Sequence, residues 1–326
     1  MQYKTIIGNT TYSFDSIKDV MAKANEKKSG DEMAGIAAAS DSERAAAKEV
    51  LADMLVSDIR NSPAVDYDQD DVTRIIQDSV CEDTYSKIKN WTISQLREWL
   101  LSYETGEDDI KAISCGLTAE VIAAVAKLMS NLDLIYAANK IRIESTCNTT
   151  IGSRGTMATR LQPNHTTDNI EGITASLYEG LSYGVGDAVI GLNPVTDSVS
   201  NTTEILKRFD EVKNKWDIPT QQCVLAHITT QMEAVKNGAP ADMIFQSIAG
   251  SQKGNEAFGF STDIVEEAIN LLREKGTAKG PNVMYFETGQ GSELSSGSNF
   301  GSDQVTMEAR CYGFAKKFDP FMVNTV

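Results

Sequence analysis

Six short apolar runs in the second half of the chain each close on a polar or ionisable residue. They occupy residues 157–162, 188–193, 223–227, 243–246, 283–287 and 321–324 and end on Gln162, Asn193, His227, Gln246, Glu287 and Asn324. Amphipathic patterns separate them, with apolar stripes such as Ile170, Ile173, Leu177 and Leu181, or Ile264, Val265, Ala268, Leu271 and Leu272. Runs of strand length alternating with helical stripes predict successive βα units, with parallel strands buried on both faces and the polar residues gathered at one rim. Pro163 and Pro194 directly follow Gln162 and Asn193, where a missing backbone N–H is tolerated because the strand ladder has ended. The fold class expected is α/β, a (β/α)8 TIM-type barrel with about six strands present and the last ones missing, preceded by a mostly helical N-terminal region. In such a barrel the rim at the strand C-termini carries ligands and chemistry.

Two regions are expected. Residues 1–150 form an N-terminal hairpin and helical region, and residues 151–326 an incomplete barrel that holds the catalytic site. Residues 3–7 and 10–14 flank Gly8-Asn9, a dipeptide suited to a tight β-turn. Asp15 is placed to cap a helix bearing Ile17, Val20, Met21 and Ala24 on one face, and helical patterning runs through 120–138. About six parallel strands do not close a barrel that takes eight, and an open sheet leaves an unpaired, aggregation-prone edge. The expectation is a fragment of something longer.

With 41% hydrophobic residues, the 326-residue chain has material for a large core. A net charge of −16 leaves no basic surplus for phosphates, which argues against nucleic acid and anionic membranes as partners. No apolar run approaches the ~20 residues that span a bilayer, and the N-terminus lacks a signal pattern, so a cytoplasmic location is expected. Cys81, Cys115, Cys147, Cys223 and Cys311 show no CxxC spacing and read as reduced packing residues. With only His165 and His227 present, no multi-histidine metal centre is expected.

Arg160 and Gln162 are two apart on a strand and leave the same face. Arg160 offers a fixed cation with a planar fork of donors, Gln162 and Asn193 offer amide donors and acceptors, and Glu287 offers the charge that a protonated amine seeks. A charge-assisted hydrogen bond of that kind contributes about 1.5–3 kcal/mol. A structural ion pair between Arg160 and Glu287 across the mouth is an equally weighted alternative. His227 reads as a hydrogen-bonded rim residue rather than a base. The acidic stretch 66–71 lacks an EF-hand spacing and reads as a solvated loop before a helix. The Gly/Ser-rich segment 288–301 follows Glu287 directly, where glycines let backbone approach a large flat ligand.

Several segments resemble one known family: Arg-Leu-Gln-Pro-Asn at 160–164, Gly-Val-Gly-Asp-Ala-Val-Ile-Gly-Leu-Asn-Pro-Val-Thr-Asp at 184–197, Ile-Phe-Gln-Ser-Ile at 244–248, Tyr-Phe-Glu-Thr-Gly-Gln-Gly-Ser at 285–292 and the stretch from Phe300 to Arg310. Together they resemble the large, catalytic subunit of ethanolamine ammonia-lyase, and the similarity extends through the N-terminal region. That resemblance implies an adenosylcobalamin-dependent radical lyase that converts ethanolamine to acetaldehyde and ammonia. Its cobalt cofactor would sit between this subunit and a small cobalamin-binding subunit. By the same resemblance Arg160, Gln162, Asn193 and Glu287 bind substrate, Arg160 and Glu287 serve as the catalytic pair, and Pro194, Gln246 and Ser295 touch the cofactor. It also implies self-association as a trimer of dimers and residence in a bacterial microcompartment. The family continues past the equivalent of Val326 with further strands and another substrate-contacting Asp, and this chain has Ala257 where the family carries an acid. Two alternatives stand beside this reading: a non-catalytic truncated assembly component, and a cofactor-free barrel lyase or aldolase. The latter would need a Schiff-base Lys at a strand end, and none is present.

Overall fold

Gly8 adopts φ +59° and turns β1 (Tyr3–Ile7) back onto β2 (Thr10–Phe14), as the Gly8-Asn9 pair predicts. The computed structural model describes residues 2–289 and 292–325. Helices α1 (Ile17–Ala24), α2 (Ser29–Met33), α3 (Asp41–Asp53), α4 (Val56–Arg60), α5 (Asp71–Asp78), α6 (Glu82–Ile88), α7 (Ile93–Leu101), α8 (Glu107–Ser114), α9 (Ala119–Lys127) and α10 (Asn131–Lys140) follow. The cap of α1 is Ser16 rather than Asp15. Ser16 takes extended backbone angles and its Oγ accepts from the Asp19 N–H at 3.1 Å, while the Asp15 N–H donates to Asp19. The helical patterning over 120–138 is split in two, because Ser130 and Asp133 form a reciprocal capping box that starts α10 afresh.

A short antiparallel pair, β3 (Ser145–Thr146) and β4 (Thr150–Ile151), precedes the alternating region. There β5 (Arg160–Leu161), α11 (Ile170–Ser182), β6 (Val189–Leu192), α12 (Val199–Lys215), β7 (Gln222–Val224), α13 (Ile228–Lys236), β8 (Ile244–Ile248), α14 (Gln252–Ala257), α15 (Thr262–Lys275), β9 (Met284–Thr288), α16 (Ser292–Ser295), α17 (Gln304–Lys316) and β10 (Met322–Thr325) succeed one another. All six runs therefore carry a strand. The strands form two three-stranded parallel sheets, β5-β6-β7 and β8-β9-β10, bridged by the Met243 N–H donating to the Gln222 carbonyl at 3.3 Å. Among the described residues no sheet closes on itself; the architecture is mixed α/β, with about half of the chain helical.

Alternation along the strands sorts side chains onto two faces. Ile190, Leu192, Val224, Ile244, Ile248, Met284 and Phe286 join a large apolar cluster with the stripes of α11, α12, α13 and α15. The intervening Val189, Cys223, Leu225, Met243, Phe245 and Tyr285 form a separate cluster on the opposite face. Arg160 and Glu287 lie on that second face, four strands apart in the combined order β5 to β9. In a flat sheet they would be about 19 Å apart, beyond the joint reach of the two side chains. Their 3.3 Å contact requires the five strands from β5 to β9 to curl around the second cluster.

The N-terminal helices pack onto this unit through α17. Its Val305 and Ala309 join the N-terminal core, while Val72, Ile76 and Ala119 from the helical region join the βα core. At this junction Arg310 is fully buried. Its guanidinium donates to Asp70 Oδ2 at 2.7 Å, to the Thr73 hydroxyl at 2.9 Å, to Glu120, and through Nε to the Gly250 carbonyl at 2.7 Å. The 66–71 stretch is thus only partly the solvated loop expected, because Asp70 is buried as an ion partner and also caps α5.

Candidate functional site

Local register builds the site. In the β5–β6 pairing Arg160 lies beside Val189, so Arg160 and Gln162 share the inner face with Gly191 and Asn193. In the β8–β9–β10 pairing Ser247, Glu287 and Asn324 are direct neighbours. Gly191 keeps the floor between them low: a Cβ there would come within 3.2 Å of Leu225 and 3.9 Å of the Arg160 stem. The Arg160 side chain crosses this space to the far strands.

The arrangement is one connected hydrogen-bond chain. Arg160 donates to the Gln162 side-chain carbonyl, and the Gln162 NH2 donates to Asn193 Oδ1 at 2.8 Å. The other arm of Arg160 donates to the Tyr285 hydroxyl and to Glu287 Oε1, the latter at 3.3 Å. Tyr285 O–H donates to the same oxygen at 3.4 Å and Asn324 Nδ2 at 2.8 Å, so the described contacts of Glu287 all fall on Oε1. With 21% and 17% of their side-chain surface exposed, Arg160 and Glu287 sit at the boundary between the apolar cluster and solvent. Such a pair is partly shielded from solvent, so its electrostatic interactions are stronger than those of a fully exposed pair. Burial pushes the Tyr285 hydroxyl well above its ordinary range, which keeps it a neutral donor and acceptor near neutral pH. Burial likewise raises the Cys223 thiol beneath it, so that sulfur is packing rather than nucleophile.

Loops after the strands fix the rest. Asn164 Oδ1 accepts from the Asn193 N–H at 2.9 Å. Asp168, held at φ +52°, accepts from the backbone N–H groups of Val195 and Thr196 at 2.9 and 2.8 Å and from Asn201 at 2.9 Å. Half-buried Pro194 is therefore pinned on both sides, with Val195 64% exposed beside it as an apolar shelf. Gln246 belongs to the helix-facing side of β8. Its Oε1 accepts from the Ile228 N–H at 3.3 Å and its NH2 donates to the Ser247 carbonyl at 2.9 Å. The side chain of Ser295 lies outside the described residues, as do Gln290 and Gly291 of the 288–301 segment.

His227 is the N-cap of α13. Its Nδ1 faces the Thr229 hydroxyl at 2.7 Å and the Thr229 N–H at 3.3 Å, so the hydrogen-bond pattern assigns the Nε2 proton to the Phe258 carbonyl at 3.0 Å. Beyond residue 291 the Gly/Ser-rich segment is tied down: the Gly250 N–H donates to buried Glu293 at 2.8 Å, Ser251 Oγ donates to the Ser298 carbonyl at 2.9 Å, and Lys18 Nζ donates to the Phe300 carbonyl at 2.8 Å. Among the described residues no group of three or more His, Cys, Asp or Glu side chains is arranged to hold a metal ion, and no helix is long and apolar enough to cross a membrane.

The hydrogen bonds bring Arg160, Gln162, Asn193 and Glu287 together as the sequence expects, with Asn324 from the sixth run beside them, while Tyr285, Asn164 and Asp168 were not singled out from the sequence. Tyr285 was readable as the same-face residue two before Glu287, and Asn324 as the polar end of the sixth run.

Comparison with known proteins gives one consistent result. The family model described as ethanolamine ammonia lyase large subunit matches residues 12–326. The ethanolamine ammonia-lyase large subunit of Escherichia coli strain K12 is 56% identical over 326 residues, spanning 100% of this chain and 72% of the relative. The large subunit of Salmonella typhimurium strain LT2 shows the same identity and coverage.

Proposed function

We propose, given that the chain belongs to the ethanolamine ammonia-lyase large-subunit family, that its rim cluster binds ethanolamine and supports loss of ammonia to give acetaldehyde. The observation that carries this reading is the convergence of Arg160, Gln162, Asn193 and Glu287 from three strands into one hydrogen-bonded chain above an apolar floor. A protonated amine needs a carboxylate, and Glu287 presents one whose described contacts all lie on Oε1. We assign Oε2 to the substrate ammonium. Arg160 and Asn193 take the hydroxyl, and Arg160 stabilises negative charge that develops there as the amine leaves. Tyr285 and Asn324 hold Glu287 in place, and Asn164 and Asp168 hold the Asn193 rim.

The cofactor of this reading is adenosylcobalamin, which supplies a carbon radical able to abstract hydrogen from the substrate. The residues present fit it: the Pro194–Val195 shelf is apolar, pinned and bordered by side-chain amides, which suits a broad ring with an amide-bearing edge. Of the three positions expected to hold it, Pro194 lies on this shelf and the side chain of Ser295 lies outside the described residues, whereas Gln246 is buried on the helix-facing side of β8 with its amide bonded to backbone, so Pro194 carries the fit. In the same reading residues 1–150 form a supporting layer, and residues 151–326 contribute six strands to an eight-stranded barrel. The partners are a small cobalamin-binding subunit and further copies of this chain as a trimer of dimers, in a bacterial microcompartment.

Acetaldehyde and ammonia release by this chain assembled with the small subunit and adenosylcobalamin tests the reading. Arg160→Ala should lower kcat by about 10²–10³-fold. Glu287→Gln should raise KM for ethanolamine by about 10–100-fold, the equivalent of a lost charge-assisted hydrogen bond. No turnover by the unmodified assembly, or turnover unaffected by Arg160→Ala, overturns it.

A further inference from the structure

Two of the five cysteines are neighbours in space despite the lack of any spacing motif. The Cys81 N–H donates to the Cys115 carbonyl at 2.7 Å, which ties the residue before α6 to the end of α8. Adding standard covalent geometry to that bond limits the Cα–Cα separation to at most about 6.6 Å, inside the window for a disulfide of about 4.4–6.8 Å. Both sulfurs also converge on one hydroxyl: Thr84 Oγ1 donates to Cys81 Sγ at 3.5 Å and Cys115 Sγ donates to Thr84 Oγ1 at 3.4 Å. Gly116 lets the two helices meet this closely, since a Cβ there would lie 2.8 Å from the Thr84 methyl and 2.9 Å from the Tyr85 nitrogen. Cys81 is exposed and Cys115 half-buried, whereas Cys147, Cys223 and Cys311 are buried.

We propose that Cys81 and Cys115 form a reversible oxidation site, a dithiol that closes to an intramolecular disulfide when it meets hydrogen peroxide. Cys81 is the attacking residue. It is the exposed member, and hydrogen bonds from the Thr84 hydroxyl and backbone hold its thiol below the ordinary range. The Cys81 thiolate attacks the peroxide, forming an S–O bond and breaking O–O, and the leaving oxygen departs as water after taking a proton. Cys115 then attacks the sulfenic sulfur as its own proton leaves, forming S–S and expelling the second water. Two thiols and one peroxide thus give one disulfide and two waters, and a dithiol reductant reverses the reaction. The bridge closes the chain from α6 to α8 and lies on elements separate from the Arg160 cluster.

Hydrogen peroxide treatment of the native protein, followed by maleimide counting and tryptic mapping, tests this. The expected product has lost about 2 Da, has two fewer reactive thiols, and links tryptic peptides 75–87 and 112–127. Dithiothreitol should restore both thiols, and Cys115→Ser should leave Cys81 as a sulfenic acid trapped by dimedone. A bridge between two copies, or Cys81 carried to sulfinic acid while Cys115 stays free in the unmodified protein, overturns the proposal. The mapping is done on unmodified protein, so it stands even if Cys115→Ser folds poorly.

Discussion

Replacing Arg310 should be among the most damaging single changes in this chain, and the reason lies in what it leaves behind. Arg310→Met keeps most of the side-chain volume, so little cavity forms. It removes the cation that pairs with Asp70 Oδ2 at 2.7 Å and with Glu120, which are 1% and 3% exposed. Removing one partner of a buried ion pair destabilises by about 3–5 kcal/mol, and two stranded carboxylates put this case at the upper end. That is a large share of the roughly 5–15 kcal/mol that holds a typical domain folded. Urea unfolding followed by tryptophan fluorescence and circular dichroism reads the loss as a lowered midpoint. If stranded charge is the cause, Glu120→Gln should rescue: Arg310→Met with Glu120→Gln should be more stable than Arg310→Met alone by about 1–2 kcal/mol. A loss below about 1 kcal/mol for Arg310→Met, or a double variant in which the two losses simply add, would refute the reasoning.

Burial raises the carboxyl of Glu293, which accepts from the Gly250 N–H at 2.8 Å. A raised folded-state value means that the folded chain binds the proton more tightly than the unfolded chain, so this contribution is present at low pH and is lost as pH rises through the folded value. Glu293→Gln should therefore raise the urea midpoint at pH 8 and leave it unchanged at pH 4; an equal effect at both would exclude the linkage. Gly152→Ala should destabilise by about 2 kcal/mol because φ is +92° and the new Cβ would fall 1.9 Å from the Ile143 carbonyl oxygen. Gly155→Ala, at φ +78° with no described atom within 4 Å, should lose only about 1 kcal/mol, and thermal midpoints of the two compare them directly.

Periodicity carried the reading of the second half because the strands have two apolar faces and only their ends can be polar. That rule marks Gln162, Asn193, Glu287 and Asn324 without any knowledge of how the strands are arranged. It fails where the sequence pattern is local and the cause is not. Residues 157–162 yield a strand of only two residues, Arg160–Leu161, and His227 lies three residues past the end of β7, where its ring caps a helix. Asp70 reads as one acid among several in a polar stretch. Its burial is decided by Arg310, whose place beside it depends on how α17 seats against α5 and α9. Arg160 and Glu287 present the same difficulty in reverse. Each is conspicuous at a strand end, yet whether they meet depends on the curl of the strands between them, which no run of residues encodes on its own. That curl also gives Asn324 a role beyond ending a run: in register beside Glu287, its amide donates to the same carboxylate oxygen that Arg160 reaches from β5. The ion pair and the proposed binding role, weighed as rivals in the sequence, are therefore compatible in the fold, because Arg160 and Asn324 share Oε1 of Glu287 and the proposed ammonium contact is assigned to Oε2.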